Sequence, residues 1–400
     1  MNILILTNKI PYPPKDGGAI ATLNIATGLS DSGHHVTVLS MNTAKHYFSA
    51  DQIPEYVRNK ITIVTIHVQT HIRWPVLLWN FLFSRRPYNA VRFQSDLFLN
   101  TLKEIICKEK FDIIQLEGPY MDYCIPLIRM ESKAIISLRA HNLEYEIWER
   151  RACQTKNPVI RLYIKILSAR IRKLEQSLIG NIDLLIPISE RDMEGFLKLG
   201  LTCPSLVCPA GIDIRSYPKP SPITGISLFY IGALDWGPNT EGLDWFFDHI
   251  WNRLSVLHPG ITLNIAGRNS HYYFSRKKEI KGVIVEGEVE DAHAFINSHS
   301  VMIVPLLSGS GIRVKILEGM LMGRAVITTS TGAEGLNVTH GRNILIGNTA
   351  NEFVEQIDTL IKTPDIARSI GSEASRYVKE NFDNLVIAKR LADFYKDNLK

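Results

Sequence analysis

Several classes of protein are excluded by what this sequence contains little of. Its 45 lysine and arginine residues nearly balance its 40 aspartate and glutamate residues, which leaves a net charge of only +5. This excess is too small for the basic surface that nucleic-acid-binding proteins usually present. The five cysteines lie far apart and form no C-x-x-C pair. A disulfide framework or a zinc site is therefore not expected, and the composition favours a reducing compartment.

Long hydrophobic runs are also missing. The apolar part of the N-terminus, M-N-I-L-I-L-T-N, is too short for a signal-peptide core and is predicted to form a buried strand. The most apolar stretch elsewhere, Trp74 to Phe83, has about ten residues and is too short to cross a bilayer. We therefore expect a cytoplasmic protein that at most attaches to the inner face of the cell membrane.

Two common site patterns are absent as well. The turn after the first predicted strand reads N-K-I-P-Y-P-P-K-D-G-G instead of G-x-G-x-x-G, which argues against a dinucleotide oxidoreductase. The sequence contains no D-x-D and no His, Cys or Asp set at metal-ligand spacing. We therefore expect a reaction that needs neither a metal ion nor a cofactor.

Short β-rich apolar runs alternate with helix-length segments along the chain, which predicts parallel sheets covered by helices. The predicted strands are Ile3–Leu6, His35–Leu39, Ile61–His67, Ile113–Leu116, Ala134–Leu138, Leu184–Ile188, Ser227–Gly232, Thr262–Ala266, Val283–Glu286, Val301–Leu306 and Ala325–Thr328. The predicted helices include Ala19–Leu29, Thr240–Leu254, Arg313–Met322 and a C-terminal pair interrupted near Asn381–Asn384.

A chain of 400 residues suits two domains of this kind. The stretch C-P-A-G-I-D-I-R-S-Y-P-K-P-S-P-I-T-G, which starts at Cys208, holds four prolines and is interpreted as a linker. We predict Rossmann-like domains at residues 1–207 and 208–375, facing each other across a cleft, with residues 376–400 returning to the first domain. Ligands of such sheets bind at the carboxyl ends of the strands.

The segment from Val301 to Gly323 carries the strongest site pattern. A predicted buried strand ends in Ser308-Gly309-Ser310-Gly311, where small residues and the start of a helix expose amide groups to an anion. Helical spacing places Gly311, Lys315 and Glu318 on one face. Lys315 could then reach a phosphate, and Glu318 could accept hydrogen bonds from hydroxyl groups. The alternative is a plain strand–helix unit with a surface Lys–Glu pair, and the following T-T-S-T-G-A-E-G-L weighs against it.

These motifs resemble those of the retaining glycosyltransferases of family 4, which have the α/β GT-B fold, and the resemblance covers nearly the whole chain. It implies that Glu318 binds the nucleotide ribose and that the backbone of Gly311, Ile312 and Arg313 contacts the donor. Ser310 stands where the family carries a first glutamate, so the carboxylate expected at the transferred sugar is missing.

A second departure concerns the diphosphate. The family's first strand of this domain usually ends in G-R, whereas here Gly232 is followed by Ala233. Our hypothesis is that Lys315 supplies the missing charge, because a departing diphosphate needs a positive group and an ideal helix turns Arg313 away. Gly267 and Arg268 in A-G-R-N, and Val289 in G-E-V, match family loops that contact the nucleotide base.

In the first half, R-A-H-N-L-E places His141 just past a predicted strand. A histidine there is more often a capping or packing residue, but the family carries one at this place. The resemblance therefore implies a contact from His141 to the transferred sugar. We assign Asn142 and Glu117 to the acceptor site, Glu117 with a purely structural role as an equal alternative. Gly17 and Gly18 match the family loop that lies against the donor phosphates.

Two stretches suit a lipid-linked acceptor or an anionic membrane surface. Residues Trp74 to Arg86 are aromatic and basic, and residues Arg150 to Lys173 hold eight basic and no acidic side chains. The second stretch has the pattern of a basic amphipathic helix. The alternative is a core-packed helix with a solvated basic face.

The resemblance implies a nucleotide diphosphate sugar donor, UDP- or GDP-linked, and transfer to a glycan or lipid-linked acceptor in polysaccharide or surface glycan biosynthesis. It also implies retention of configuration without a covalent intermediate. Catalytic roles are assigned to His141, Lys315 and Glu318. Two alternatives stay open: a nucleotide-sugar 2-epimerase of the same fold, and a non-catalytic subunit of glycan assembly, suggested by Ser310.

Overall fold

The computed structural model describes residues 1–14, 17–44, 47–223, 225–309 and 311–399. Its contacts divide the chain into two compact units, the first formed by Met1–Gly211 with Asn384–Lys400 and the second by Ile212–Asp383. The boundaries placed at 207/208 and 375/376 from the sequence fall a few residues before these two crossing points.

Each unit contains one sheet of six parallel strands, as the alternation of apolar runs predicts. The strands are β1 (Asn2–Thr7), β2 (His35–Thr43), β3 (Thr62–Val68), β4 (Ile113–Glu117), β5 (Ile135–Ala140), β6 (Leu184–Pro187), β7 (Leu228–Ile231), β8 (Leu263–Ala266), β9 (Val283–Gly287), β10 (Val301–Val304), β11 (Ala325–Thr328) and β12 (Leu345–Ile346). The first sheet has the order β3-β2-β1-β4-β5-β6 and the second β12-β11-β10-β7-β8-β9. The eleven predicted strands are confirmed to within a few residues, and β12, with two residues, was too short to predict.

Helices cover both sheets. They are α1 (Gly17–Asp31), α2 (Glu55–Arg58), α3 (Trp74–Phe83), α4 (Tyr88–Val91), α5 (Asp96–Lys108), α6 (Ile125–Glu131), α7 (Glu144–Gln154), α8 (Pro158–Ile179), α9 (Glu190–Lys198), α10 (Gly237–Phe246), α11 (Asn252–Leu257), α12 (Ser270–Ser275), α13 (Ala292–Asn297), α14 (Val314–Leu321), α15 (Ala350–Lys362), α16 (Pro364–Asn381) and α17 (Asn384–Asn398). The break predicted near Asn381–Asn384 is confirmed. The helix predicted over Thr240–Leu254 is confirmed, and it contains a π-helical segment at Phe247–Trp251 between α10 and α11.

The basic stretch from Arg150 to Lys173, in contrast, belongs to two helices instead of one. Helix α7 ends at Gln154, and α8 begins at Pro158, where the Asn157 side chain accepts hydrogen bonds from the amides of Val159 and Ile160. An asparagine cap followed by proline is a strong start signal, since the cap satisfies free amides and proline has none to lose.

Both sheets are buried on two faces, which explains the near-continuous apolar strands. In β1, Leu4 and Leu6 belong to one core cluster and Ile3 and Ile5 to another. None of the helices in the described part of the chain is long and apolar enough to cross a membrane.

Helix α10 approaches the end of β10 so closely that only glycine fits at one position. A methyl group on Gly242 would lie 2.2 Å from the carbonyl oxygen of Pro305. We expect Gly242→Ala to destabilise the second unit by about 1–3 kcal/mol, because backbone atoms must move apart. Urea unfolding midpoints measure this effect. Gly237→Ala in the first turn of the same helix is the matched control, since a methyl group there meets no atom within 4 Å. Equal midpoints for the two variants would contradict this packing.

Candidate active site

The strand order of both sheets reverses at the centre, where the third connection between strands (β3 to β4, and β9 to β10) crosses to the other side of the first strand. In the first sheet this point lies between β1 and β4, and in the second between β7 and β10. Ligands of doubly wound sheets bind at the carboxyl ends of the strands beside such a point. The ligands that each unit can bind therefore depend on the arrangement of the residues that follow β4 and β10.

In the first unit, the end of β4 carries a buried carboxylate with four donors. Glu117 accepts hydrogen bonds from Thr22 Oγ1 of α1 at 3.0 Å, Gln115 Nε2 at 2.5 Å and His141 Nε2 at 2.6 Å. Arg139, its cross-strand neighbour on β5, places Nη1 3.4 Å away and is itself fully buried. The carboxylate therefore joins three elements of this unit.

Electrostatics keeps this carboxylate ionised. Burial alone would raise the pKa of Glu117, but the Arg139 guanidinium and the His141 ring outweigh it and lower the pKa to about 2. The last helix, α17, closes the network, because Tyr395 OH donates to Gln115 Oε1 at 2.6 Å and lies 3.0 Å from Ser137 Oγ. The charged end of β4 is therefore surrounded by residues of α1, β5 and α17.

The Glu117 carboxylate also fixes the orientation of His141. Since an ionised carboxylate only accepts, the contact at Nε2 places a ring proton on that nitrogen, and in the neutral ring this leaves Nδ1 as an acceptor. The His141 side chain is 22% exposed, so a ligand can reach it. Asn142 follows, half-buried, before α7 begins, and α1 begins at Gly17 and continues through Gly18.

In the second unit, α14 directs Lys315 toward the end of β7. Its Nζ donates to Asn239 Oδ1 of α10 at 2.9 Å and to Tyr230 OH of β7 at 3.2 Å, and lies 4.5 Å from the centre of the Tyr230 ring. Asn239 in turn donates to the carbonyl oxygen of Ala233 at 2.8 Å. A methyl group on Gly232 would lie 3.1 Å from Nζ. The ammonium group is therefore seated beside the loop that follows β7.

The partners of Lys315 are neutral. Within the described ranges it forms no ion pair with a carboxylate. The pKa of Lys315 is lowered to about 7, mainly by burial and to a smaller extent by the positive charge of Arg313. A desolvated ammonium without a counter-ion favours the binding of an anion, because an anion would restore the lost stabilisation of its charge.

The loop between β10 and α14 is shaped by glycines. Gly309 and Gly311 have φ angles of +117° and +82°, which side chains rarely tolerate. Arg313 is buried at the position before α14, and its Nη1 donates to the carbonyl oxygen of Gly311. The predicted shared face of Gly311, Lys315 and Glu318 is wrong, because the helix starts only at Val314 and Gly311 lies in the loop. Ser310 lies outside the described residues, and Ile312 is half-buried.

One turn beyond Lys315, Glu318 faces a different neighbour. Its Oε1 accepts a hydrogen bond from Tyr217 OH at 3.0 Å, and the Tyr217 ring lies 4.3 Å from the ring of His293. Burial raises the pKa of Glu318, while Tyr217 and His293 oppose this change. Lys315 and Glu318 therefore serve separate polar clusters instead of pairing with each other.

The remaining predicted donor residues surround the ends of β7, β8 and β9. Gly267 has φ +133°, and a methyl group there would lie 2.1 Å from the carbonyl oxygen of Gly232. Arg268 is exposed and pairs with Asp235 at 3.0 Å, and Val289 packs against the core below. The close approach of the Gly232 backbone, together with the positive φ angle, explains why position 267 is glycine.

Among the residues of these clusters that escaped the sequence analysis are Arg139, Tyr217, Tyr230 and Asn239. Arg139 and Tyr230 had a readable signal, because a charge or hydroxyl within a buried strand needs a partner. Asn239 and Tyr217 had none, since their roles depend on which helix or loop lies opposite.

The pKa of Glu117 predicts a specific effect of pH on stability. A carboxylate whose pKa falls from 4.5 to about 2 on folding stabilises the protein above pH 4.5, and this stability is lost as pH falls toward 2. Glu117→Gln should therefore be less stable at pH 7, by about 3–5 kcal/mol, because it leaves Arg139 buried without a counter-ion. It should also lose less stability than the wild type between pH 5 and pH 3.

Urea midpoints at these pH values test this expectation. Glu104→Gln, at an exposed carboxylate of α5, is the control and should follow the wild type. If Glu117→Gln showed the same change between pH 5 and pH 3 as the wild type, the ionised state of Glu117 would be refuted.

Comparisons with known proteins agree with this architecture. Residues 225–363 match the family described as Glycosyl transferases group 1. The chain is 23% identical over 410 residues to an uncharacterized 44.6 kDa protein in the cps region of Klebsiella pneumoniae, with 99% of each covered. Sucrose-phosphate synthase from Thermosynechococcus elongatus has a similar structure, with a TM-score of 0.69, 15% identity and 99% of both chains covered.

A second solved structure, that of Anabaena Alr3699/HepE in complex with UDP-glucose, has a TM-score of 0.65 and 15% identity, with 99% of this chain and 100% of that chain covered. The two parallel sheets and these similarities show the GT-B fold. Because residues 225–363 of the second unit match the group 1 family, the chain is an enzyme of the glycosyltransferase class with the GT-B fold.

Proposed function

We propose that this enzyme transfers a sugar from a UDP- or GDP-linked donor to a glycan or lipid-linked acceptor in polysaccharide or surface glycan biosynthesis. The proposal rests on the position of Lys315. Its desolvated ammonium group lies beside the loop that follows β7, and Lys315 precedes Glu318 by one turn of α14. The name of the Klebsiella relative, which refers to a cps region, and the UDP-glucose held by the Anabaena protein support the pathway and the donor class.

The diphosphate of the donor is assigned to Lys315 and the glycine loop. Positive φ angles at Gly309 and Gly311 shape the loop, and Gly311 through Arg313 lead into the first turn of α14, where the amides of Val314 and Lys315 precede the first helical hydrogen bond, which Ile316 donates to Arg313. Ala233 leaves the β7 loop without the arginine common in similar enzymes, and Asn239 links its carbonyl to Lys315 instead. Lys315 then stabilises the negative charge that develops on the departing diphosphate.

The nucleoside is assigned to the cluster around Glu318. Its carboxylate has one oxygen bonded to Tyr217, and carboxylate oxygens can each accept further hydrogen bonds, here from ribose hydroxyls. The loops at Gly267, Arg268 and Val289 contact the base. We propose that the reaction proceeds with retention and without a metal ion or cofactor, since Lys315 and the helix start supply the positive potential.

In the first unit, His141 is proposed to contact a hydroxyl of the transferred sugar. Glu117 holds Nε2, so Nδ1 is left to accept a hydrogen bond from that hydroxyl. Glu117 itself already meets four donors and is 5% exposed, which favours a role in positioning His141 over the predicted acceptor contact. We further propose that Asn142 contacts the acceptor and that Gly17 and Gly18 lie against the donor phosphates. The proposed location of the enzyme is the cytoplasm.

Replacing Lys315 should weaken binding of the diphosphate. Lys315→Met removes one charge-assisted contact, so UDP should bind roughly 10- to 100-fold more weakly near pH 7, as measured by isothermal titration. The wild-type affinity should fall by up to about tenfold per pH unit above pH 7, because the bound state requires protonated Lys315 and its pKa in the free enzyme is about 7. The affinity of Lys315→Met should not show this decline.

The control for this experiment is Lys278→Met, at an exposed lysine of the same unit, which should bind UDP as the wild type does. Unchanged affinity of Lys315→Met, or the same pH profile in both proteins, would show that another group holds the diphosphate.

Replacing His141 should affect turnover more than folding. We expect His141→Ala to lower kcat roughly 10- to 100-fold through loss of a contact strengthened in the transition state, with little change in UDP affinity. The exposed residue His71 provides the control variant, His71→Ala. Near-normal turnover of His141→Ala would remove His141 from the reacting centre.

Release of an altered free sugar from donor alone, without an acceptor, would instead identify a 2-epimerase.

A further inference from the structure

Helix α3 of the first unit exposes an entirely apolar face. At 3.6 residues per turn, its outward positions cover about half of the helix circumference. Trp74 is 73% exposed and Phe83 is 72% exposed. The other outward residues are Pro75, Leu78, Trp79 and Leu82. A group of exposed large apolar side chains such as this one indicates a surface that contacts a membrane or another protein.

The orientation of α3 is fixed by contacts on its opposite side. Asn80, its one polar residue, is buried and donates to the carbonyl oxygen of Arg86 at 3.1 Å. Arg170 of α8 donates to the carbonyl oxygens of Asn80 and Phe81 at 3.1 and 2.8 Å. The Phe81 ring lies 5.6 Å from that of Tyr163. These contacts hold the inner face of α3 on α8 and leave the apolar face outward.

The start of α8 extends this surface. Val159, Ile160 and Leu162 in its first turns are exposed, and Leu162 directly precedes Tyr163, the residue that contacts Phe81. We call the outward side of α3 together with these three residues the α3–α8 surface. It joins two segments that lie far apart in the sequence.

The two segments that form the α3–α8 surface carry charges of one sign. No acidic residue occurs between Glu55 and Asp96, nor between Glu149 and Glu175. Arg86 is paired with Asp122 of the turn below, at 2.6 Å. The exposed basic residues at the rim are Arg73, Arg85, Lys156, Arg161 and Lys165.

We propose that the α3–α8 surface docks on an anionic lipid bilayer, with its tryptophan, phenylalanine and aliphatic side chains inserted at the headgroup boundary and the basic rim on lipid phosphates. An apolar face with a basic rim is the combination that lies in the plane of such a membrane. A second copy of the chain is disfavoured as the occupant, because two like-charged rims would repel each other. The proposal does not depend on the donor or on the reaction.

Co-sedimentation with vesicles of phosphatidylglycerol and phosphatidylcholine tests the full-length protein. Trp79→Ser/Phe83→Ser should lower the partition coefficient at least about tenfold, because two interfacial aromatic anchors are lost. Arg73→Glu/Arg161→Glu should do the same in 0.05 M salt, and raising the salt to 0.5 M should weaken wild-type binding, because the attraction is screened. Vesicles of phosphatidylcholine alone should bind the wild type more weakly.

The matched control is Val256→Ser/Leu257→Ser, which removes two exposed apolar side chains of the second unit and should partition as the wild type does. Circular dichroism and UDP binding verify that every variant is folded, independently of membrane binding. The proposal is overturned if the wild type does not bind anionic vesicles, or if the α3 variant and the control partition alike. Concentration-dependent dimers that vanish in Trp79→Ser/Phe83→Ser, without any vesicle binding, would overturn it in favour of self-association.

Discussion

A charged group removed from water must find a compensating charge or change its protonation state, and this constraint applies to the polar residues at the central strand ends of both sheets. In the first unit Glu117 is compensated by Arg139 and His141, so its pKa falls to about 2. In the second unit Lys315 meets only neutral partners within the described residues, and its pKa falls to about 7. The first unit offers an oriented imidazole, whereas the second offers a cation that an anion would stabilise.

This contrast concerns one departure from the family 4 pattern, the missing arginine after β7. Where similar enzymes carry an arginine after the first strand of the domain, this chain has Ala233, whose carbonyl oxygen is bonded to Asn239. Asn239 holds Lys315 through its other amide atom, so the lysine ammonium lies beside the loop where the arginine would begin. Arg313 is already buried close enough to lower the pKa of Lys315, so an arginine after β7 would add a further cation to the same desolvated surroundings.

The sequence was sufficient for the sheets, because parallel strands buried on both faces form short apolar runs that helices separate. It also predicted the loop before α14 and the positions of His141 and Lys315, since glycines and charged residues that follow predicted strands can be recognised from the sequence alone. The start of α14 was misplaced, because Arg313 can continue a helix by propensity but here bonds back to Gly311. The partners Asn239 and Tyr217 could not be found, because they come from other elements and only the packing brings them close.

Helix α3 shows the same limit most clearly. Its composition is apolar apart from Asn80, and the usual rule would turn that asparagine to solvent. The structure does the reverse, because Asn80 can satisfy its side chain on the carbonyl oxygen of Arg86 while Arg170 binds the carbonyl oxygens at the end of the helix. The hydrogen-bonding groups of α3 are thus satisfied inside, and its tryptophans face outward. The lack of acidic residues was readable from the sequence, but the direction of the apolar face depended on one arginine ninety positions further along the chain.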